Sequence, residues 1–318
     1  MKHTVVIITV FLTSFSNIIA DNRGDIFFPT AEIINNFTTR IPFKIIDNLI
    51  VVEAELFNKR GNFIIDTGSE TLILNKTHFN FKFNSQAIKE TVGVNGNVEG
   101  TYKRNVQEFI LHNLNFNNKS SDIIDLSHIE KSKKIRLLGI IGYNILKDFE
   151  VFIDLHLNQL TLTKVDKYGN KLDKHVYLER ISDSVNFKLR NHTIVLDCFI
   201  NDQKVKFGLD TAAEYNQINK RIGSKSLKYF FPNKRINLIG ASNNKIEVIA
   251  GKLFKVKLSE TVYFGPMNTM LTNLNNMNEA FGTKLDGVLG FEFFVQKRTI
   301  INYQKEKLYF IDYPIARQ

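Results

Sequence analysis

The feature that most constrains this chain is a segment that occurs twice. Asn62-Phe63-Ile64-Ile65-Asp66-Thr67-Gly68-Ser69-Glu70 returns as Lys206-Phe207-Gly208-Leu209-Asp210-Thr211-Ala212-Ala213-Glu214. A second block, Gly139-Ile140-Ile141-Gly142-Tyr143, follows the first copy, and Gly287-Val288-Leu289-Gly290-Phe291 follows the other. The offsets are 210 − 66 = 144 and 290 − 142 = 148, so the copies differ by four residues of net insertion. Two motifs kept in order at nearly one period indicate an internal duplication. The expected architecture is two equivalent lobes related by an internal pseudo-twofold axis.

Each copy consists mainly of short runs rich in Ile, Val, Phe, Thr and Tyr between Asn, Gly and Lys punctuation, such as 49–56 and 253–258. That pattern predicts strands and a mainly β fold. Helical candidates are few, and the best are 144–149 and 292–296, directly after Gly142 and Gly290. Strand, polar turn and strand then close each copy over 149–162 and 299–311. The expected organisation is a signal segment 1–20, a lead-in 21–40, a first lobe 41–164, a linker 165–180 containing Lys167-Tyr168-Gly169-Asn170-Lys171, and a second lobe 181–318.

The first twenty residues carry Lys2, the apolar run 5–12 and a small residue, Ala20, before Asp21-Asn22-Arg23. This is the pattern of a secretory signal peptide cut after Ala20, too short for a spanning helix. The expected destination is the periplasm or the exterior, with no transmembrane segment in the mature chain. The single cysteine, Cys198, excludes an intramolecular disulfide. It lies in the apolar strand 195–200 and reads as a small buried residue. The net charge of +10 is scattered over the chain without a basic stripe or a known module, which argues against nucleic-acid binding. The histidines His3, His78, His112, His128, His156, His175 and His192 show no close ligand spacing, so no metal and no cofactor is expected.

An apolar strand that runs into Asp-Thr-Gly places a carboxylate on a tight turn. One such turn is ordinary strand-end chemistry. Two copies about a pseudo-twofold axis can bring Asp66 and Asp210 face to face. Carboxylates a few ångströms apart share one proton, and the ionised member can then act as general base on a water while the protonated member polarises a carbonyl. The hydroxyls of Thr67 and Thr211 could bond across the axis, and such buried groups require partners.

These motifs resemble those of the pepsin/retropepsin aspartic-protease clan, over roughly residues 40–313. More narrowly, they resemble the exported bacterial retropepsin-like proteases in which two retropepsin-type units are fused. The resemblance implies a bilobal acid-protease fold of two β-barrel lobes with a cleft for an extended peptide. It implies that Asp66 and Asp210 form the catalytic pair, that Thr67, Thr211, Gly68 and Ala212 brace the active loops, and that Gly142 and Gly290 pack behind them. A β-hairpin flap is implied about thirty residues past the first aspartate. There, 91–102 carries the turn signal Asn95-Gly96, and 238–246 sits at the matching place in the second lobe. Tyr102 reads either as a cover over the substrate or as an ordinary strand tyrosine.

The second motif departs from the pattern, since Ala212 replaces a glycine. If the backbone there requires an angle that Cβ resists, strain of about 1–3 kcal/mol follows; if not, the change is tolerated. The expected function is an exported aspartic endopeptidase acting on peptide or protein substrates as a monomer. The competing reading is an inactive relative that binds peptides in the same cleft. A carbohydrate-binding β-sandwich explains the strands but not the paired motifs.

Overall fold

The computed structural model describes residues 26–79, 91–93, 96–98, 101–173, 180–239 and 245–312. The expected signal segment, Asn95 and His175 lie outside them. Within the described residues no helix is long and apolar enough to cross a membrane.

The first lobe is a closed six-stranded barrel. Leu49–Leu56, Lys59–Ile65, Leu137–Ile141, Leu72–Asn75, Leu114–Ile124 and Tyr102–Leu111 pair in that order, and the pair Glu55↔Ile110 closes the ring. The second lobe repeats the order with Thr193–Ile200, Gln203–Leu209, Gly287–Leu289, Asn216–Asn219, Met267–Thr272 and Lys245–Leu253. Its seam is closed by the short strand Val256–Lys257, through Phe199↔Lys257. That pair matches Glu55↔Ile110 at offsets of 199 − 55 = 144 and 257 − 110 = 147, so the repeated topology extends to the closing contact.

Within each barrel the strand leading to the aspartate is central. Lys59–Ile65 runs parallel to Leu137–Ile141, as Gln203–Leu209 does to Gly287–Leu289. The end of Lys59–Ile65 is covered on both faces, with Phe63 and Ile65 in one apolar cluster and Ile64 in another, which is why it reads as a continuous apolar run. Phe63, Ile64 and Ile65 are accordingly fully buried.

A third, seven-stranded sheet joins the lobes. Its centre is the antiparallel pair Phe149–Asp154 and Arg298–Asn302, one strand from each copy. Gln159–Lys164 and Lys307–Ile311 flank that pair as the predicted strand–turn–strand units, with Thr38–Pro42 and Glu32–Asn35 on one side and Ile181–Asn186 on the other. Turn 166–170 is fastened to this sheet, since Asn302 Nδ2 donates to the Gly169 carbonyl at 2.9 Å.

The helical candidates need adjustment. The first is the single turn Tyr143–Leu146, and Phe149 already belongs to a strand; the second is Phe291–Gln296. Two further helices, Ser127–Lys133 and Asn275–Phe281, stand at an offset of 148 and were not expected. The first carries one apolar residue, Ile129, and the second three, Met277, Ala280 and Phe281, and both lack a side-chain N-cap, so the usual start signal is missing.

Across the joining sheet, Arg298 Nε and Nη2 reach Asp154 Oδ2 at 3.0 and 2.5 Å, with both side chains 2% exposed. Removing one member of a buried pair strands the other charge. Asp154→Ala is expected to lower unfolding stability by about 3–5 kcal/mol, read from denaturant midpoints. Replacing both residues with apolar ones of similar volume should recover most of that loss.

Candidate active site

Asp66 and Asp210 leave their strands at the same point in each barrel. The Asp66 N–H donates to the Ile141 carbonyl at 3.0 Å and the Asp210 N–H to the Leu289 carbonyl at 2.9 Å, so the neighbouring parallel strand anchors each loop. Directly past that strand come Gly142 and Gly290. A Cβ on Gly142 would lie 2.3 Å from the Thr71 carbonyl oxygen, and one on Gly290 would lie 2.1 Å from that of Ala213. These glycines let the two segments of each lobe touch, and Tyr143 N–H and Phe291 N–H then bond the Ser69 and Ala213 carbonyls at 2.8 and 2.9 Å.

The two loops meet between the lobes. The Thr67 N–H donates to Thr211 Oγ1 and the Thr211 N–H to Thr67 Oγ1, each at 3.0 Å. The hydroxyls donate onward across the boundary, Thr211 Oγ1 to the Ile65 carbonyl at 2.8 Å and Thr67 Oγ1 to the Leu209 carbonyl at 3.3 Å. Four bonds thus lace two buried turns, and each threonine hydroxyl both donates one bond and accepts one.

Asp66 and Asp210 are 0% and 4% exposed, with their carboxyl groups against each other. Each Oδ1 is held by its own loop: Gly68 N–H and Ser69 N–H donate to Asp66 at 2.8 and 3.1 Å, and Ala212 N–H donates to Asp210 at 2.8 Å. Burial first, then the charge and hydrogen bond of Asp210, hold the Asp66 carboxyl well above the ordinary aspartate range, while the loop N–H groups pull it back. The pair therefore titrates as a unit.

The two third positions of the motifs are not equivalent. A Cβ on Gly68 would sit 2.8 Å from the Asp210 carboxyl carbon, so only glycine fits there without moving that carboxylate. Ala212 is fully buried, its φ is not positive, and its methyl packs with Leu49, Val51, Ile64 and Leu126 of the first lobe. The backbone strain considered for this residue is absent.

Where the flap is expected, Thr91–Gly93 pairs with Gly96–Val98 as a hairpin, and its first strand comes close to helix Asn275–Phe281 of the other lobe. Gly96 faces Gly93 within the ladder and is a strand residue rather than a turn residue. Tyr102 opens the next barrel strand opposite Ile123, half-buried against the core, with Lys76 Nζ 5.3 Å from its ring centre. In the second lobe, the long hairpin Phe230–Ile239 and Lys245–Leu253 occupies the matching place, and 240–244 lie outside the described residues.

Sequence reasoning missed several neighbours of this site. Asn48 and His192 sit on equivalent turns, 192 − 48 = 144, and each reaches the other lobe's active loop: Asn48 Nδ2 donates to the Glu214 carbonyl at 3.0 Å, and the His192 imidazole faces the Gly68 backbone. Burial pushes His192 down to about 4, so it stands neutral there, with Gly68 offsetting part of the effect. Tyr303 is buried below the loops, edge-on to Tyr143 at 5.2 Å, and its phenol is raised by burial and by the field of both aspartates. The 144-residue offset could have paired Asn48 with His192, but unlike side chains hide the equivalence. Among the described residues, no three His, Cys, Asp or Glu side chains gather as a metal-binding group.

No family model matches the chain, and no curated protein matches it in sequence. Among solved structures it is similar to the aspartic proteinase from Irpex lacteus, at 11% identity over 86% of this chain and 97% of that one, with a TM-score of 0.50. It is also similar to a retropepsin-like aspartic protease from Rickettsia conorii, at 19% identity over 40% of this chain and 90% of that chain, with a TM-score of 0.28. The first likeness spans both lobes, and the chain has the bilobal pepsin-like fold.

Mutual bracing of the loops predicts matched effects of unequal-looking changes. Thr67→Val and Thr211→Val should each cost about 1–3 kcal/mol by stranding buried N–H groups. In a double-mutant cycle of chemical denaturation, the pair should fall well short of additivity.

Proposed function

We propose that this chain is an exported aspartic endopeptidase in which Asp66 and Asp210 are the catalytic pair. The observation that carries the reading is two buried carboxyl groups in contact, one held well above its ordinary range, on loops locked together across a pseudo-twofold axis. Such a pair holds one proton between two carboxylates at weakly acidic pH.

The ionised carboxylate takes a proton from a water as its oxygen attacks the peptide carbonyl carbon, and the protonated carboxyl gives its proton to the carbonyl oxygen. The resulting gem-diol collapses as the ionised carboxylate takes a hydroxyl proton and the protonated carboxyl gives its proton to the amide nitrogen; the C–N bond breaks, the amine leaves, and one proton is again shared by the pair. Thr67 and Thr211 hold the loops in register, Gly68 keeps space for Asp210, and Gly142 and Gly290 seat the loops on the barrels. Ala212 fits by packing on the first lobe. The hairpin around Gly96 serves as the flap, with Tyr102 at its base. Both half-sites lie in one chain, so the working form is a monomer. An unstrained Ala212 deprives the binding-only alternative of the one sequence feature that favoured it.

Purified residues 21–318 should cleave a denatured protein at weakly acidic pH, and Asp66→Asn should abolish cleavage. Normal turnover by that variant would sink the assignment. The rate should fall towards alkaline pH, as the shared proton is lost.

Stability gives an independent check. A folded-state pKa raised above the unfolded value means that the native state holds the extra proton, so stability is complete below the unfolded value near 4 and is lost as pH rises through the folded one. Asp66→Asn should therefore raise the melting temperature at pH 7, and the gain should vanish near pH 3.

A further inference from the structure

The duplication places a glutamate four residues after each aspartate, and the two glutamates meet different surroundings. Glu214 is buried, with its carboxylate 2.6 Å from Lys133 Nζ, and the fully buried Lys133 side chain also lies 3.3 Å from Asp47. Burial pushes Glu214 up to about 8 against the pull of Lys133. Lys133 ends the first-lobe helix, and its counterpart in the second lobe is Phe281, 133 + 148, so no equivalent lysine can latch Glu70. Glu70 is half-buried and makes no ion pair among the described residues.

Beside Glu70 lies a second carboxyl group with no counterpart. Asp122 stands opposite Ile73 in the register where Met270 stands opposite Gln217 in the other lobe. Asp122 is fully buried, its Oδ2 accepts from the Thr71 hydroxyl at 2.5 Å, and its Oδ1 has no donor among the described residues. Burial raises the pKa of both carboxyl groups, and the exposed Lys103, across the strand pair from Asp122, offsets part of that rise without forming an ion pair with either among the described residues. One half of the site therefore presents two acids, one of them with an unmet buried oxygen, while the other half is neutralised from within.

We propose that Glu70, backed by Asp122, selects a lysine or arginine side chain of the extended peptide on the first-lobe side of the aspartate pair, and so fixes the direction in which a peptide lies. This rests on the peptide-cleft reading above. The acids supply what a buried or half-buried cation needs, a carboxylate partner plus a second acceptor.

The test uses binding rather than cleavage. Asp66→Asn protein is titrated with a ten-residue peptide series carrying lysine or norleucine at each position in turn. At one position lysine should bind about 2–5-fold more tightly than norleucine, the range of a partly screened ion pair. Glu70→Gln in the same background should bring that ratio close to one, whereas Glu214→Gln should leave it in place. Lysine preference at no position, or a preference that survives Glu70→Gln, overturns the proposal. Glu70 carries the test because it is half-exposed, whereas replacing Asp122 disturbs the barrel interior. A protein that shows the preference but cleaves nothing would count against the peptidase reading alone.

Discussion

Everything at the centre of this molecule depends on two threonines that hydrogen-bond each other's backbone across the lobe boundary. A buried N–H without a partner costs about 1–3 kcal/mol, so a turn whose N–H finds its acceptor only in the other lobe cannot relax independently. Thr67 and Thr211 impose that condition in both directions, and each hydroxyl passes a bond on to the strand that enters the opposite loop. The aspartates one residue earlier are therefore brought together by backbone geometry rather than by their own attraction, which is unfavourable. The energy needed to bury two acids side by side comes from the barrels and from the lacing.

The joining sheet serves the same end from below. Its central strands, Phe149–Asp154 and Arg298–Asn302, come one from each copy, and the buried Arg298–Asp154 pair ties them together. Above it, the turns bearing Asn48 and His192 each clasp the other lobe's active loop. Sheet, lacing and clasp thus join the two halves at three separate places.

Much of this was legible in the sequence because two motifs recur in order at nearly one period. The barrels, the strand-turn-strand closures and the meeting of residues 66 and 210 follow from motifs that kept their residue types. What remained hidden shares position but not chemistry. His192 answers to Asn48, Met270 to Asp122 and Phe281 to Lys133, and no pattern of residue types links those pairs. The short helices were also obscure, since they lack side-chain N-caps and long amphipathic stripes. For Ala212 the sequence left strain or tolerance open, and only the path of the chain could decide.

That both halves lie on one chain changes how the site depends on concentration. A paired site built from two separate copies exists only while the copies stay associated, so its population falls on dilution. Here one chain carries both halves, and the strands 149–154 and 298–302 pair within it. A covalent pair also frees each half from having to match itself, which is how one loop can keep Gly68 while the other accommodates Ala212.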